Sequence, residues 1–262
     1  MTIAVQGAQI YIDDQGAGPP TVFLHGNPDS SILWRGLMAE MKSRFRCLAP
    51  DLPGFGHSGI PAGFGFTLPE MADFMDDLVS ALGISKPVNL VVHDFGGPYG
   101  LAWAAKHPEK VRRIAIFNTN FFSDYKWHSW ARIWRTPVLG ELSMAMMNWP
   151  AFNSMMRKNA PGVSEEHIRE TYSLITPRMK SMVLKLYRAT NPQNFKGWET
   201  DYSALARHVP VCVLWGDRDP YISPSFADRF GAQKVWHFPE HGHWLPAEAP
   251  KEVAARLIEF FA

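Results

Sequence analysis

Short apolar or alternating runs of residues are interleaved with segments of helical periodicity through the first half of the chain. Such runs predict strands at residues 1–6, 9–13, 21–24, 46–49, 88–92 and 114–117. Apolar residues at helical spacing predict helices at 31–42, 67–83 and 97–107. The second helix has a capping box, Thr67 with Glu70, at its start and Gly83 at its end. Strands separated by helices in this way predict an α/β fold with a mostly parallel sheet and helices on both faces.

This alternation is interrupted in the middle of the chain. Between residues 123 and 203 the apolar spacing is helical and no strand is predicted. Strands return at 211–214 and 234–238, followed by an amphipathic helix at 251–261. The sequence therefore predicts an α/β core formed by residues 1–122 and 204–262, with a helical cap inserted as residues 123–203.

Composition and charge exclude several classes of protein. Of the 262 residues, 46% are hydrophobic and 19% are charged, which is typical of a globular domain. The net charge of +1 gives no reason to expect a nucleic-acid or membrane partner. Cys47 and Cys212 both lie in apolar runs, so we expect buried, reduced thiols. No signal peptide and no metal or nucleotide motif is apparent, and we expect a cytoplasmic monomer or homodimer without cofactor or metal.

The clearest chemical signal follows the strand at 88–92. The chain continues as His93-Asp94-Phe95-Gly96-Gly97 and then enters a helix. Strand, sharp turn and helix form the setting of a nucleophile elbow, whose middle residue projects from the carboxyl end of the sheet. Taken alone, Asp94 is equally well interpreted as a helix N-cap.

Four further motifs favour the elbow. In chain order, the five are His25–Pro28 (HGNP), Asp51–Ser58 (DLPGFGHS), His93–Gly97 (HDFGG), Gly216–Pro220 (GDRDP) and Gly242–Trp244 (GHW). Together they resemble the haloalkane dehalogenase and epoxide hydrolase branch of the α/β-hydrolase fold family. The resemblance implies an α/β-hydrolase fold and a hydrolase whose active site lies beneath the cap.

The resemblance also implies the roles of three residues. Asp94 is expected to be the nucleophile, His243 the base and Asp219 the acid that orients the histidine, in the chain order of the fold. A carboxylate suits attack on an sp3 carbon, because it is already ionised and leaves an ester that water can hydrolyse. The base is then needed only to activate that water.

Neighbouring residues leave alternatives for the base and the acid. His241 is a second candidate for the base, and Asp217 is expected to cap or pair locally. Some dehalogenases carry the acid as a glutamate 24 residues beyond the nucleophile, which here is Asn118. Asn118 cannot act as the acid, so Asp219 is preferred, and we expect Asn118 to make a structural hydrogen bond.

The site for the leaving group is less completely specified. Backbone N–H groups of Asn27 and Phe95 are expected to form the oxyanion hole, and the Asn27 side chain to bind a halide. Dehalogenases of this branch add a tryptophan directly after the nucleophile, but Phe95 has no N–H. A tryptophan from the cap is an alternative donor. The candidates for the substrate pocket are Trp127, Trp130, Trp134, Trp149, Tyr187 and Trp244.

Three functions remain open from the sequence. The first is hydrolysis of a carbon–halogen bond in a small apolar organic substrate, with water as the second reactant. The aromatic and Met-rich cap is consistent with such a substrate. The second is epoxide hydrolysis, in which Tyr187 would donate to the ring oxygen. The third is ligand binding without catalysis, because the fold alone does not determine function.

Overall fold

Eight strands form one sheet in the structure, a computed structural model that describes residues 1–262. The strands are β1 (Thr2–Val5), β2 (Ala8–Gln15), β3 (Pro20–Leu24), β4 (Arg46–Pro50), β5 (Val88–His93), β6 (Val111–Phe117), β7 (Val211–Gly216) and β8 (Lys234–Phe238). Their order across the sheet is β1-β2-β4-β3-β5-β6-β7-β8. β2 pairs antiparallel with both β1 and β4, and every other pair is parallel.

Eleven α-helices surround this sheet. They are α1 (Arg35–Met41), α2 (Leu68–Ala81), α3 (Gly96–Lys106), α4 (Ser129–Arg135), α5 (Leu139–Met146), α6 (Trp149–Asn159), α7 (Glu165–Ser173), α8 (Pro177–Ala189), α9 (Trp198–Leu205), α10 (Leu245–Glu248) and α11 (Pro250–Phe261). Short 3-10 helices occupy Ser31–Trp34, Pro108–Lys110, Pro192–Phe195 and Pro224–Phe230.

The sheet separates two apolar cores. Successive side chains of a strand point to opposite faces. In β5, Leu90 and Val92 therefore pack with α2 and α3 on one face, while Val91 packs with α1 and α11 on the other. Because every residue of β5 is buried, this strand provides a rigid support for whatever follows its carboxyl end.

The predicted α/β fold and its strands are confirmed. The capping box at the start of α2 is also present, with both of its reciprocal hydrogen bonds. One helix prediction was too simple: residues 31–42 form a 3-10 turn followed by α1. The turn begins where the Ser30 side chain accepts a hydrogen bond from the Ile32 N–H, which favours the tighter geometry there.

The insertion between β6 and β7 is entirely helical. Its helices α4, α5, α6 and α8 line the cavity described below, together with residues of the core at the carboxyl ends of the strands. The next helix, α9, instead packs against α3 of the core. The division at residues 122/123 and 203/204 stays a prediction, and this contact favours assigning all of α9 to the core. No helix is both long and apolar enough to cross a bilayer.

Candidate active site

Asp94 occupies a sharp turn between β5 and α3. Its φ of +47° lies in the left-handed region, which is uncommon for a residue with a side chain. The turn is possible because α3 packs unusually close to the sheet. A Cβ on Gly96 would lie 2.1 Å from the Leu24 carbonyl oxygen, and one on Gly97 would lie 2.0 Å from the Thr119 Oγ1. The local structure is therefore that of a nucleophile elbow.

One oxygen of the Asp94 carboxylate is fixed by backbone donors. The Asn27 N–H donates to Oδ1 at 2.7 Å, and the Phe95 N–H also interacts with the carboxylate. Burial raises the pKa of Asp94 above its usual value, whereas His243 and these two N–H groups oppose the rise. A more basic carboxylate, once ionised, is a stronger nucleophile, and its other oxygen, Oδ2, is not the one that accepts from Asn27.

His243 faces that second oxygen. Its Nε2 lies 3.7 Å from Asp94 Oδ2, and its Nδ1 lies 2.7 Å from Asp219 Oδ2. Because a carboxylate only accepts hydrogen bonds, Nδ1 carries the proton and Nε2 is left with a lone pair. Burial lowers the pKa of His243, but the negative charges of Asp219 and Asp94 outweigh this and raise it.

Asp219 is held by four donors in addition to being buried. Its Oδ1 accepts the N–H groups of Tyr221 (2.7 Å) and Ile222 (3.1 Å), and its Oδ2 accepts His243 Nδ1 and the Asn118 side-chain amide (2.9 Å). Burial favours a higher pKa for Asp219, but the charge and hydrogen bond of His243, with the other donors, hold it below its usual value. This carboxylate therefore remains ionised opposite the histidine.

Asn118 supports this arrangement from the end of β6. Its amide nitrogen donates to the Gly216 carbonyl (3.0 Å) as well as to Asp219, and its amide oxygen accepts the Gly216 N–H (3.0 Å). These bonds fix the amide in one orientation, with its donor toward the acid. The structural hydrogen bond expected for Asn118 is present.

The alternative histidine and aspartate are elsewhere. His241 Nδ1 lies 3.5 Å from Glu248, and Asp217 accepts from His237 Nδ1 at 2.6 Å on the surface. Neither contacts Asp94. The structure thus brings together the three residues that the family resemblance selects.

Two spaces meet at Asp94. The larger is a cavity of about 370 Å³ that is lined mainly by apolar residues and reaches His243 at its base. The smaller is a chamber of about 30 Å³ next to Phe95, which is enough for about one water-sized group. Asp94, His128, Tyr187 and Tyr221 line both spaces.

The aromatic residues predicted for the pocket are distributed unevenly. Trp130, Trp134 and Trp244 line the large cavity, whereas Trp127 lines the small chamber and stacks on Phe95. Trp149 lies away from both spaces, with its ring packed against Tyr172 and Arg169.

Tyr187 is the predicted cap residue most closely associated with Asp94. It is 3% exposed, and its hydroxyl oxygen accepts a hydrogen bond from the Asn27 side-chain amide at 3.5 Å. Burial and the charge of Asp94 raise its pKa well above the usual value. The phenol therefore keeps its proton, and that proton is available to a substrate.

His128 is a site residue that the sequence did not indicate. Its Nδ1 accepts the Ala131 N–H at 3.2 Å as the N-cap of α4, which leaves the proton on Nε2. Burial lowers the pKa of His128 to about 4, so the ring is neutral near neutral pH. His128 is therefore a second uncharged hydrogen-bond donor from the cap. The only feature of the sequence that could have indicated His128 is its position at the start of a helix.

Comparison with known proteins identifies the family of the chain. The family model described as "alpha/beta hydrolase fold" matches residues 19–250. Haloalkane dehalogenase 2 of Mycobacterium tuberculosis is 28% identical over 97% of this chain and 91% of its own length. A cis-3-alkyl-4-alkyloxetan-2-one decarboxylase of Xanthomonas campestris is 32% identical over 85% and 73%. The crystal structure of haloalkane dehalogenase DbeA from Bradyrhizobium elkani superimposes with a TM-score of 0.83 at 25% identity, covering 99% of this chain and 96% of DbeA. The chain therefore belongs to the α/β-hydrolase fold family and is an enzyme of the haloalkane dehalogenase and epoxide hydrolase branch that its motifs resemble.

Proposed function

We propose that the enzyme hydrolyses a carbon–halogen bond through an ester on Asp94. The observation that carries this proposal is the asymmetric environment of the Asp94 carboxylate. Oδ1 is held by the Asn27 N–H, while Oδ2 lies beside the cavity and His243. A carboxylate with one oxygen fixed and the other directed at the substrate space is arranged for in-line attack on an sp3 carbon.

In the first step, Oδ2 forms a bond to the carbon and the halide leaves with the electron pair of the broken bond. The Asn27 side chain is the proposed donor to the halide. In the second step, water gives a proton to His243 Nε2 and attacks the ester carbonyl. The developing oxyanion lies on Oδ1, between the N–H groups of Asn27 and Phe95. Collapse expels the alkoxide, which takes the proton held by His243 Nε2 and leaves as the alcohol. The carboxyl group then loses its proton to solvent, which restores the Asp94 carboxylate.

Ester formation also prepares the base. Two carboxylates, Asp219 and Asp94, raise the pKa of His243 in the free enzyme. Esterification removes the charge of Asp94 while Asp219 remains. The pKa of His243 therefore falls at the stage when the ring must be neutral to accept a proton from water.

Strained oxygen rings are a second class of electrophile, and a specific observation favours them. An alkoxide leaving group needs a proton, whereas a halide does not. The Tyr187 hydroxyl accepts from Asn27, so its own hydrogen is free to be donated beside Asp94. Epoxides belong to this class, and the name of the Xanthomonas relative, an oxetan-2-one decarboxylase, also specifies a strained oxygen ring.

Trapping the ester tests the proposal and separates the electrophiles. His243→Gln should form the ester but not hydrolyse it, so incubation followed by intact mass and peptide mapping identifies the adduct. With 1,2-dibromoethane we expect the mass of one bromoethyl group on Asp94. With styrene oxide, an adduct of the whole epoxide would favour the second class, and Tyr187→Phe should then slow only that reaction. If neither compound forms an adduct on Asp94, the Asp94 mechanism is refuted.

A further inference from the structure

Apart from two histidines, only two of the residues that line the large cavity have charged side chains. One is Asp94, and the other is Lys180 on α8. The rest of the lining is dominated by apolar residues, including five methionines of the cap: Met144, Met146, Met147, Met155 and Met179. Lys180 is half-buried, so its ammonium group loses part of its hydration and depends on hydrogen-bond acceptors near it.

The partners that the protein gives Lys180 are neutral. Its Nζ donates to the carbonyl oxygens of Met144 (2.8 Å) and Met147 (3.1 Å) near the end of α5. An ammonium group has three N–H donors, so one remains. No carboxylate lies within 4.0 Å of Nζ, and the charge is therefore not neutralised by the protein.

Lys180 also lies at the boundary between the cavity and a groove on the outside of the cap. Met144 and Lys180 line both spaces. The other charged residues of the groove are Arg188 and Glu141, which pair with each other, and Lys185, whose Nζ is bound to the carbonyl of Phe64. None of these three residues lines the cavity itself. The predicted cap as a whole, residues 123–203, has eleven Lys and Arg against seven Asp and Glu. An anionic group at the cavity side of this boundary would meet the uncompensated charge of Lys180.

The cavity volume indicates how long a molecule would span it. At roughly 30 Å³ for each water-sized group, 370 Å³ accommodates about a dozen carbon, oxygen or halogen atoms. This corresponds to a medium-length alkyl chain rather than a two-carbon substrate.

We propose that Lys180 forms a headgroup subsite for a carboxylate-bearing amphiphile, whose alkyl chain fills the apolar cavity and whose electrophilic carbon lies at Asp94. This substrate class rests on the proposed function for its reactive end. The carboxylate end rests on Lys180 alone and is therefore testable without any reaction. The competing explanation is that Lys180 only caps the last carbonyls of α5.

Binding of unreactive ligands separates these explanations. Octanoate and octan-1-ol share a chain and differ in charge, and isothermal titration calorimetry gives the Kd of each. We expect octanoate to bind more tightly than octan-1-ol, and Lys180→Met to weaken octanoate about tenfold or more while octan-1-ol changes by less than about twofold. Lys180→Arg should keep the preference for octanoate. Lys185→Met, which removes the same charge from the same helix outside the cavity, should leave both affinities within about twofold.

Two results would overturn the headgroup subsite. One is wild-type enzyme that binds octanoate no more tightly than octan-1-ol. The other is Lys180→Met that weakens both ligands equally, which would identify a structural cap only.

Turnover then connects the subsite to the reaction. The wild type should have a lower KM for 8-bromooctanoate than for 1-bromooctane, and Lys180→Met should raise only the former KM with little change in kcat. The matching epoxides replace these substrates if the trapped ester is an epoxide adduct. If neither neutral substrate is converted, the proposed function fails, while the binding comparison still decides the role of Lys180.

Discussion

Replacing Asp219 with asparagine tests how the base is controlled. The two side chains have nearly the same shape, but the Asp219 carboxylate accepts two hydrogen bonds at each oxygen. In Asp219→Asn, one of the two carboxylate oxygens is replaced by an NH2 group, which then faces two hydrogen-bond donors. Asn118 cannot rotate to relieve the conflict, because both ends of its amide are bound to Gly216.

The magnitude follows from the tautomer of His243. If the new NH2 group faces His243, Nδ1 must become an acceptor and the proton moves to Nε2, which can then no longer accept a proton from water. If it faces Tyr221 and Ile222, two buried N–H groups lose their acceptor, at about 1–3 kcal/mol each. A wrong tautomer costs about ten-thousandfold in triad hydrolases, or roughly 5.5 kcal/mol at 1.36 kcal/mol per tenfold. We expect that loss in ester hydrolysis and little change in ester formation.

Rapid-quench mass spectrometry measures the two steps separately. Asp219→Asn should release one burst of halide per active site and accumulate the Asp94 ester, with a steady-state rate about ten-thousandfold lower. Asp217→Asn is the matched control: it lies two residues away, pairs with His237 on the surface, and should leave both rates unchanged. Steady-state turnover within tenfold of wild type, without accumulated ester, would refute the role assigned to Asp219.

Three further predictions concern the surroundings of the site. Burial favours a lower pKa for His167 on α7, but the ion pair with buried Asp29 (3.3 Å) raises the pKa of His167 above its usual value. Burial favours a higher pKa for Asp29, and the same ion pair holds the pKa of Asp29 below its usual value. The contribution of His167 to the free energy of unfolding is therefore complete below its unfolded pKa of 6.5, and it is lost as the pH rises through the raised folded pKa. The contribution of Asp29 is complete above its unfolded pKa of 3.8, and it is lost as the pH falls through the lowered folded pKa. Hydrogen exchange of α7 should thus accelerate beyond the intrinsic rate as the pH rises above 6.5. A His167→Gln variant that kept this pH dependence would contradict the assignment. Phe95→Trp adds an indole N–H beside the nucleophile, so a halide assay should show bromide release about tenfold faster. The larger side chain should lower stability by about 1–3 kcal/mol in thermal unfolding. An unchanged rate of bromide release would show that the indole does not reach the leaving group. His128→Asn keeps an N-cap for α4 but withdraws the ring donor, so kcat should fall about tenfold with little change in Tm, and unaffected turnover would exclude His128 from the site.

The sequence predicts the core of this enzyme well because its signals are local. β5 is an apolar run interrupted only by Asn89 before it ends at His93, and the glycines after Asp94 are required by the close approach of α3 to Leu24 and Thr119. Both features are visible without knowledge of distant contacts. The family resemblance then assigns the histidine and the acid, which lie more than a hundred residues away along the chain.

The cap is predicted less completely for a physical reason. Helical periodicity shows which side chains are buried, but not whether they face a cavity or a neighbouring helix. The sequence offers both Trp149 and Trp134 as candidates for the pocket. In the structure Trp149 packs on Tyr172, and of the two only Trp134 lines the cavity. The same limit applies to Lys180, whose position next to Met144 depends on how α8 packs against α5.

The contact between Asn118 and Asp219 bears on how this branch diversifies. Two locations for the acid are known in the branch, one after β6 and one after β7, and they appear unrelated when only the chain is considered. In this molecule the residues at the two locations touch, with 2.9 Å between their side-chain atoms. The acid and its amide partner therefore form a pair of neighbouring positions that serve one histidine. Moving the acid from one strand to the other amounts to exchanging the members of that pair, and a lineage could make the change without rebuilding the base, the nucleophile or the sheet between them.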